Sequence, residues 1–366
     1  MADLRIKPYS ATTWTTISDV AYLSCNWEVN RAGMLTATLP VSQMAATLRL
    51  IQQNPTYASV TTLAGMLVEF SDEAAGKWGG QIMQVGAIDG LATISAMSYE
   101  ILFRKKLFAI ATGSSNATLE NRQHPSVVMN TILDKYNNAG GDDAPHVKFT
   151  KGETYTTSGD IDVRINVIGD AYDEIIPQIT DDIGWEYNVD ADKKLQFGPS
   201  LGTDKSGTVT LTEGVHIVHA SWQDDLLPMT NSLRGFITVQ VITNPGTRKQ
   251  VVTSKTEEWT SPESTTDSIK QFGVLRERRD YPAISTVESL KRSLRNELRV
   301  TSLLQPLITV EVVNVGNCWS RFRQGDTIRL ELGDSGYSGK FRVIVRSLDV
   351  TRGVMVCSGL GDLRKG

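Results

Sequence analysis

Gly65-Met-Leu-Val-Glu-Phe70, a polar loop, Gly76-Lys77-Trp78-Gly-Gly-Gln-Ile-Met-Gln-Val85, the pair Asp89-Gly90 and Leu91-Ala-Thr-Ile-Ser-Ala-Met97 form a cassette that recurs at the C-terminal end of this 366-residue chain. The second copy runs Gly325-Asp-Thr-Ile-Arg-Leu330, a polar loop, Gly339-Lys340-Phe341-Arg-Val-Ile-Val345, Asp349 to Gly353, and Val354-Met-Val-Cys357. Both follow one order: Gly, a short alternating strand, Gly-Lys-aromatic, a strand, an Asp/Gly turn and a last strand. Asp89-Gly90 suits a type I′ hairpin turn, which needs positive φ at both central residues. One chain with two related β-units can offer two similar faces to a neighbour.

Outward from the first cassette the chain remains β-rich. Tyr22 to Val29 and Met34 to Leu39 flank Asn30-Arg-Ala-Gly33, a hairpin signal. Gln43 to Gln53 reads as a short helix stopped by Asn54-Pro55, and Ile101 to Phe108 as an exit helix. In the middle, His124-Pro125 opens a helix through Asn137 with Val128, Ile132 and Tyr136 on one face and Gly140-Gly141 as its stop. A second helix over Asp170–Ile183 carries Pro177 inside it, so a kink or a later start is expected. Trp185 to Val189 and Lys194 to Phe197 form a hairpin. Strands return with Ile217 to Trp222 and Phe236 to Ile242, and Asn244-Pro245-Gly246 reads as a turn. Residues 247–284 read as a polar, Thr/Ser-rich excursion. Ser285 with Glu288 gives capping-box spacing for a third helix with Val287, Leu290, Leu294 and Leu298 as its buried stripe. Pro306 and Leu307 to Val313 lead into the second cassette, so the second β-unit is split by an insertion.

The length exceeds the usual single core, which predicts two or three domains. The division read from the pattern is a first β-unit at 1–110, an α/β unit at 111–210 and 245–305, and a second β-unit at 211–244 and 306–366. The fold class is α+β. A hydrophobic share of 40% with 21% charged residues is that of a folded globular chain. The net charge of −4 excludes a dedicated nucleic-acid surface, which needs a concentrated basic excess. No apolar run reaches the ~18–20 residues of a membrane span, so no stable membrane insertion is expected. The start, Met-Ala-Asp-Leu-Arg-Ile, lacks the apolar core of a secretory signal. Cys25, Cys318 and Cys357 are too few and scattered for a disulfide framework and read as reduced, buried thiols.

The chain offers little catalytic chemistry. Asp72/Glu73, Asp142/Asp143, Asp181/Asp182 and Asp224/Asp225 are acidic pairs, but adjacent acids in loops are the common chemistry of turns. His216 and His219 stand three apart in a strand, which points their rings to opposite faces and away from joint metal ligation. His124 and His146 have no partner suggested by spacing. No nucleophile elbow, Walker loop, dinucleotide fingerprint or zinc motif is present, and Cys25 has no marked basic neighbour. Arg276, Arg278, Arg279, Lys291, Arg292, Arg295 and Arg299 are the one basic concentration. Glu277, Glu288 and Glu297 interleave them, the pattern of a solvated face; the sharper reading is a dock for an acidic partner. No catalytic, cofactor-binding or metal residues are assigned, no cofactor is expected, and the chain reads as a non-enzyme.

Five stretches, taken in order, resemble the tail-hub (baseplate-hub) family of tailed bacteriophages. They are Asn26-Trp27 to Pro40; Gly65 to Glu100; Ile183-Gly-Trp-Glu186 with Leu195 to Pro199; Asp267-Ser-Ile-Lys-Gln-Phe-Gly273, with Phe272 where the family carries Tyr; and Phe322 to Gly359. The resemblance implies a gp27-like fold: two similar antiparallel β-barrel domains, a mixed α/β domain between them, and a homotrimer whose six barrels cap a sixfold tube. It implies a virion tail-tip location after assembly in the host cytoplasm. The implied partners are the tail tube protein, the distal tail protein, the tape measure protein and a spike or fibre, with DNA only in non-specific transit. The chain ends at Asp362-Leu-Arg-Lys-Gly366, straight after the second cassette, so a lytic or fibre module is expected on another chain. A cell-wall or polysaccharide hydrolase working through an acidic pair is the alternative in another class. The seven tryptophans prompt a carbohydrate-binding reading, against which Trp27, Trp78 and Trp185 sit in framework strands.

Overall fold

The computed structural model describes residues 3–103, 118–139, 145, 147–154, 163–166, 172–224, 229–243, 251–260, 266–282, 284, 286–302, 305–333 and 336–361. Strands β1 (Asp3–Lys7), β2 (Thr15–Ile17), β3 (Tyr22–Glu28) and β4 (Met34–Pro40) open the chain. Pro40, fixed near φ −58, turns the backbone directly into helix α1 (Val41–Gln52). Then come β5 (Leu67–Asp72), β6 (Gly76–Ile88) and β7 (Leu91–Ser98). Asp89 and Gly90 both have positive φ, at 50° and 79°, so the β6–β7 turn is the type I′ turn the sequence suggests. Tyr99–Phe103 is a buried 3-10 turn, and the rest of the expected exit helix, residues 104–108, lies outside the described residues.

The middle carries β8 (Thr118–Gln123), α2 (Pro125–Asn137), β9 (Thr150–Thr154), β10 (Val163–Asn166), α3 (Tyr172–Ile183), β11 (Glu186–Val189) and β12 (Lys194–Gly198). His124 caps α2 by accepting the Ser126 N–H at 3.3 Å, and Pro125 stands where its missing N–H costs nothing. The proposed stop at Gly140-Gly141 lies outside the described residues. The helix α3 runs through Pro177 and buries Ile175, Ile176, Ile179 and Ile183. These side chains join Tyr99, Phe103, Val128, Ile132, Tyr136, Trp185 and Phe197 in one core.

After β13 (Thr210–Thr212) and β14 (Ile217–Gln223) the chain departs from expectation. The strand β15 (Ser232–Thr243) does not join the second β-unit. It pairs with β16 (Val251–Thr260) over ten residue pairs, and in parallel with β17 (Arg276–Asp280). The supposed polar excursion therefore contains two strands and α4 (Thr266–Phe272). For β16 the reason is composition, since Thr and Val are β-branched and suit a half-buried pleat even when the segment is polar overall. β17, Arg276-Glu-Arg-Arg-Asp280, has no such signal and is defined by its pairing alongside β15. The Asn244-Pro-Gly246 turn lies outside the described residues. Helix α5 (Val287–Thr301) is capped by Thr286, whose Oγ1 accepts the Ser289 N–H at 3.1 Å, one residue after the expected cap. Ser285 lies outside the described residues. Leu290, Leu294 and Leu298 pack on Leu233 and Ile237 as a separate small core.

The chain closes with β18 (Leu307–Val313), β19 (Thr327–Leu332), β20 (Tyr337–Asp349) and β21 (Val354–Gly361). Both β-units lie in one 13-stranded sheet with the main order β14-β18-β21-β20-β3-β4-β7-β6-β5-β1-β2, β19 lying beside β20 and β13 beside β19. Sheets are mostly antiparallel; the parallel pairs are β13–β19, β12–β9 and β15–β17. Among the described residues this ladder is an open path and no closed barrel forms. One apolar core runs under both units, from Leu4, Val68 and Ile94 to Val310, Phe341 and Met355.

Candidate assembly interface

The two β-units are built alike to a degree the sequence only hints at. The first runs β3-β4-β7-β6-β5 and the second β14-β18-β21-β20-β19. Corresponding strands have equal lengths of seven, seven, eight, thirteen and six residues. Both long strands carry a bulge at their eighth residue, Met83 in β6 and Ile344 in β20. In each unit the cassette strand, β5 or β19, is preceded by a glycine of positive φ, Gly65 at 84° and Gly325 at 87°. The Gly65 and Gly325 N–H groups donate to the carbonyls of Ile82 and Val343 at 2.8 and 2.7 Å. Those two residues donate back to Met66 and Asp326 at 2.8 and 2.9 Å. Ile82 therefore corresponds to Val343. This corrects the sequence match: Gly76 answers to Tyr337, and the two Gly-Lys-aromatic motifs are two residues out of step. A slip of two leaves every side chain on its face, so Trp78 and Phe341 are both buried.

The units meet at a seam where the last five residues of β20 pair with β3, from Val345 opposite Glu28 to Asp349 opposite Ser24. The Val29 N–H donates to Ile344 O at 3.3 Å and the Val350 N–H to Leu23 O at 2.9 Å. Arg346 is buried in this seam. Its guanidinium donates to the carbonyls of Ala75 (3.4 Å) and Trp319 (3.2 Å), one from each unit, and lies over the rings of Trp27 and Phe322. Burial lowers its pKa, and the surrounding groups oppose that shift. The same burial raises the Cys25 and Cys357 thiols, the latter to about 12, with Arg346 pulling the other way. Cys25 thus has a basic neighbour that its sequence does not reveal, and it is still held as a thiol.

Charged side chains bolt the middle layer to both units. Buried Asp326 pairs with Lys205 (2.8 Å) and accepts the N–H groups of Thr203 and Arg323, each at 2.8 Å. Glu186 pairs with Arg342 and accepts the Leu201 N–H at 2.8 Å. Glu69 accepts from Arg5 (2.8 Å) and the Tyr99 hydroxyl (2.9 Å). Glu100 is buried, accepts from Ser98 and from the Val189 N–H at 2.7 Å, and its pKa is raised by burial against those hydrogen bonds. A cavity of about 200 Å³ lies beside the seam, with Lys77, Glu100, Asn188, Arg323 and Arg346 as well as Trp27 and Trp78 in its lining.

The residues noted for chemistry are dispersed. Asp72 accepts the N–H groups of Ala74 and Ala75 at 2.9 and 2.8 Å, a turn role. His216 accepts the Thr212 N–H, while His219 is exposed on β14. Asp181 has its pKa raised by burial, with Arg279 opposing. Asp142, Asp143, His146 and Asp225 lie outside the described residues. Among the described residues no group of His, Cys, Asp and Glu is placed to hold a metal ion, and no helix is long and apolar enough to cross a membrane. The basic concentration is largely spent on its neighbours. Arg279 pairs with Glu277 and Glu297, Arg278 with Asp280, and Lys291 with Glu288, while Arg295 lies over Trp259. Of the three tryptophans noted above, Trp78 and Trp185 are buried and Trp27 packs against the core, whereas Trp222 lies exposed on β14.

Comparison with solved structures identifies the architecture. The prophage tail protein gp18 from Listeria monocytogenes EGD-e superposes with a TM-score of 0.59 over 99% of this chain and 95% of its own, at 13% identity. The 43 kDa tail protein of prophage MuSo2 from Shewanella oneidensis gives 0.61 over 98% of each chain at 9% identity. The chain has the fold of a phage tail protein. A tail protein from Neisseria meningitidis MC58 shares this phage tail fold at a TM-score of 0.60 and 10% identity, over 99% of this chain and 96% of its own. No family model and no curated protein matches the sequence. The phage tail fold is thus shared at only 9–13% identity.

Proposed function

We propose that this chain is a structural tail-hub protein, three copies of which form a ring at the distal end of a phage tail. The observation that carries the reading is the pair of five-strand units with equal strand lengths and matching bulges. Three copies, each with two barrel-like units, offer about six near-equivalent patches, and a sixfold tube needs one patch per subunit. The ring joins the tube, with its distal tail and tape measure proteins, to a threefold spike or fibre and surrounds the DNA exit channel. Its role is geometric rather than catalytic; the mildly acidic surface does not grip passing DNA. In this reading the two units act as two tube-facing modules whose spacing is set by the β20–β3 seam that joins them.

Native mass measurement of the purified protein, alone and with its tube subunit, tests this directly. A three-copy mass that binds tube rings is the expected result. A single-copy mass that ignores the tube would sink the reading.

A further inference from the structure

The internal repeat leaves one position unmatched. In β20 the last five residues have β21 on one side and β3 on the other. Their counterparts in β6, Gln84 to Ile88, have only β7, and among the described residues their other edge is open. The strand corresponding to β3 is β14, which pairs with β18 on one side and, among the described residues, ends the sheet on the other. One edge of each kind is thus consumed inside the chain and one of each kind is left over.

We infer that copies of this chain join head to tail by pairing the β6 tail of one with β14 of the next, reproducing between chains the β20–β3 seam within the chain. This inference rests on the ring proposed above and names the surfaces that close it. The register transfers directly. Tyr22 pairs with Thr38 and His219 with Glu311, which makes Ser24 correspond to Ser221 and Cys25 to Trp222. Leu348 opposite Cys25 then becomes Ala87 opposite the partner subunit's Trp222, and Asp349 opposite Ser24 becomes Ile88 opposite the partner subunit's Ser221.

Exposure and composition both favour a second copy as the occupant. Leu348 and Cys25 are 2% and 3% exposed in the seam, whereas Ile88, Val218 and Trp222 are 73%, 60% and 53% exposed. Open edges are normally blunted with charge or proline. Gln84-Val-Gly-Ala-Ile88 contains neither, and in β14 only His219 can carry charge. The backbone is aimed correctly as well. The two-residue turn makes Ile88 and Leu91 a hydrogen-bonded pair, so the Val85 and Ala87 N–H and C=O groups point to the open edge. The interface is heterologous, and such a contact either closes a ring or grows a filament. A closed path would take eight strands from each copy, β14-β18-β21-β20-β3-β4-β7-β6.

The test uses cysteine pairs in the full chain. Ile88 and Ser221 correspond to a non-hydrogen-bonded pair, whose Cα atoms stand about 4.5 Å apart, within disulfide reach. Ile88→Cys with Ser221→Cys, oxidised, is expected to give two- and three-copy bands on a non-reducing gel. Ile88→Cys with His219→Cys, two residues out of register, is expected to lose most of that cross-linking. Ala87→Pro removes an edge-facing N–H that the β6–β7 ladder does not use, and is expected to abolish the three-copy mass. Should Ala87→Pro misfold, the cysteine pairs decide alone. A three-copy mass for the unaltered chain without Ile88–Ser221 cross-linking overturns the edge pairing and leaves the ring standing. A single-copy mass with tube protein present overturns the ring itself.

Discussion

The tails of β6 and β20 have the same length, the same bulge and the same hairpin neighbour, yet one is buried in a seam and the other lies open. The first unit lends β3 to its sibling and receives nothing on β6. The second takes β3 onto β20 and, among the described residues, leaves the outer edge of β14 unpaired. Residue choice follows this asymmetry. Buried Arg346 stands opposite Trp27 in the closed seam, while its counterpart in the open tail is Val85. The flanks differ too: β1 runs antiparallel to β5, whereas β13 runs parallel to β19. A duplicated unit can thus keep its strand framework while its edges become committed, one pair inside the chain and one pair outside.

Breaking the closed seam gives the largest effect. Arg346→Ala leaves a void and orphans the carbonyls of Ala75 and Trp319. We expect a loss of about 3–5 kcal/mol, read as an earlier midpoint in urea unfolding. A loss under about 1 kcal/mol would show that the two units do not lean on this residue.

The two opening glycines sharpen the comparison, since their φ values are nearly equal and their surroundings are not. A Cβ on Gly325 meets Leu201 O at 2.6 Å, while one on Gly65 meets nothing within 4 Å. Gly65→Ala is expected to cost about 1–2 kcal/mol, the left-handed backbone penalty alone. Gly325→Ala adds a clash with fixed backbone and should cost at least about 2 kcal/mol more. Equal losses in thermal unfolding would contradict the asymmetry.

A smaller effect tests the joint between the first unit and the middle layer. The raised pKa of Glu100 means that the folded state holds its proton above the ordinary glutamate value of 4.5. Its stabilising contribution is complete below that value and is lost as pH rises through the folded pKa. Glu100→Gln should therefore flatten the decline in stability that sets in as pH rises above the ordinary glutamate value; an unchanged slope would remove Glu100 as its source. Smallest of all, the three thiols should stay unreactive toward a thiol reagent at neutral pH until the chain unfolds, because burial raises all three pKa values. Fast labelling of Cys25 or Cys357 in the folded protein would show that the seam opens.

Local chemistry determined much of this molecule. Asp89-Gly90 dictates its turn because few residue pairs accept two positive φ angles, and Gly65 and Gly325, each at positive φ, mark the entry to β5 and β19. His124-Pro125 and the four-residue spacing of Val128, Ile132 and Tyr136 specify α2 and its buried face. The order of the two cassettes, and with it the internal repeat, was legible from strand lengths and turn residues. What only the tertiary structure decided was which strand lies beside which. A period of two is blind to a slip of two, so the Gly-Lys-aromatic motifs matched at the wrong offset. The bulge at Ile344 inverts the faces of β20, carrying Arg346 and Leu348 inward where strict alternation from Phe341 and Val343 would turn them outward. β15 went to the polar strands rather than to the second unit because pairing is a non-local choice that its own residues do not encode. The open edges of β6 and β14 were invisible for that reason as well: an edge is defined by a neighbour that is missing, and only the assembled sheet shows where one is missing.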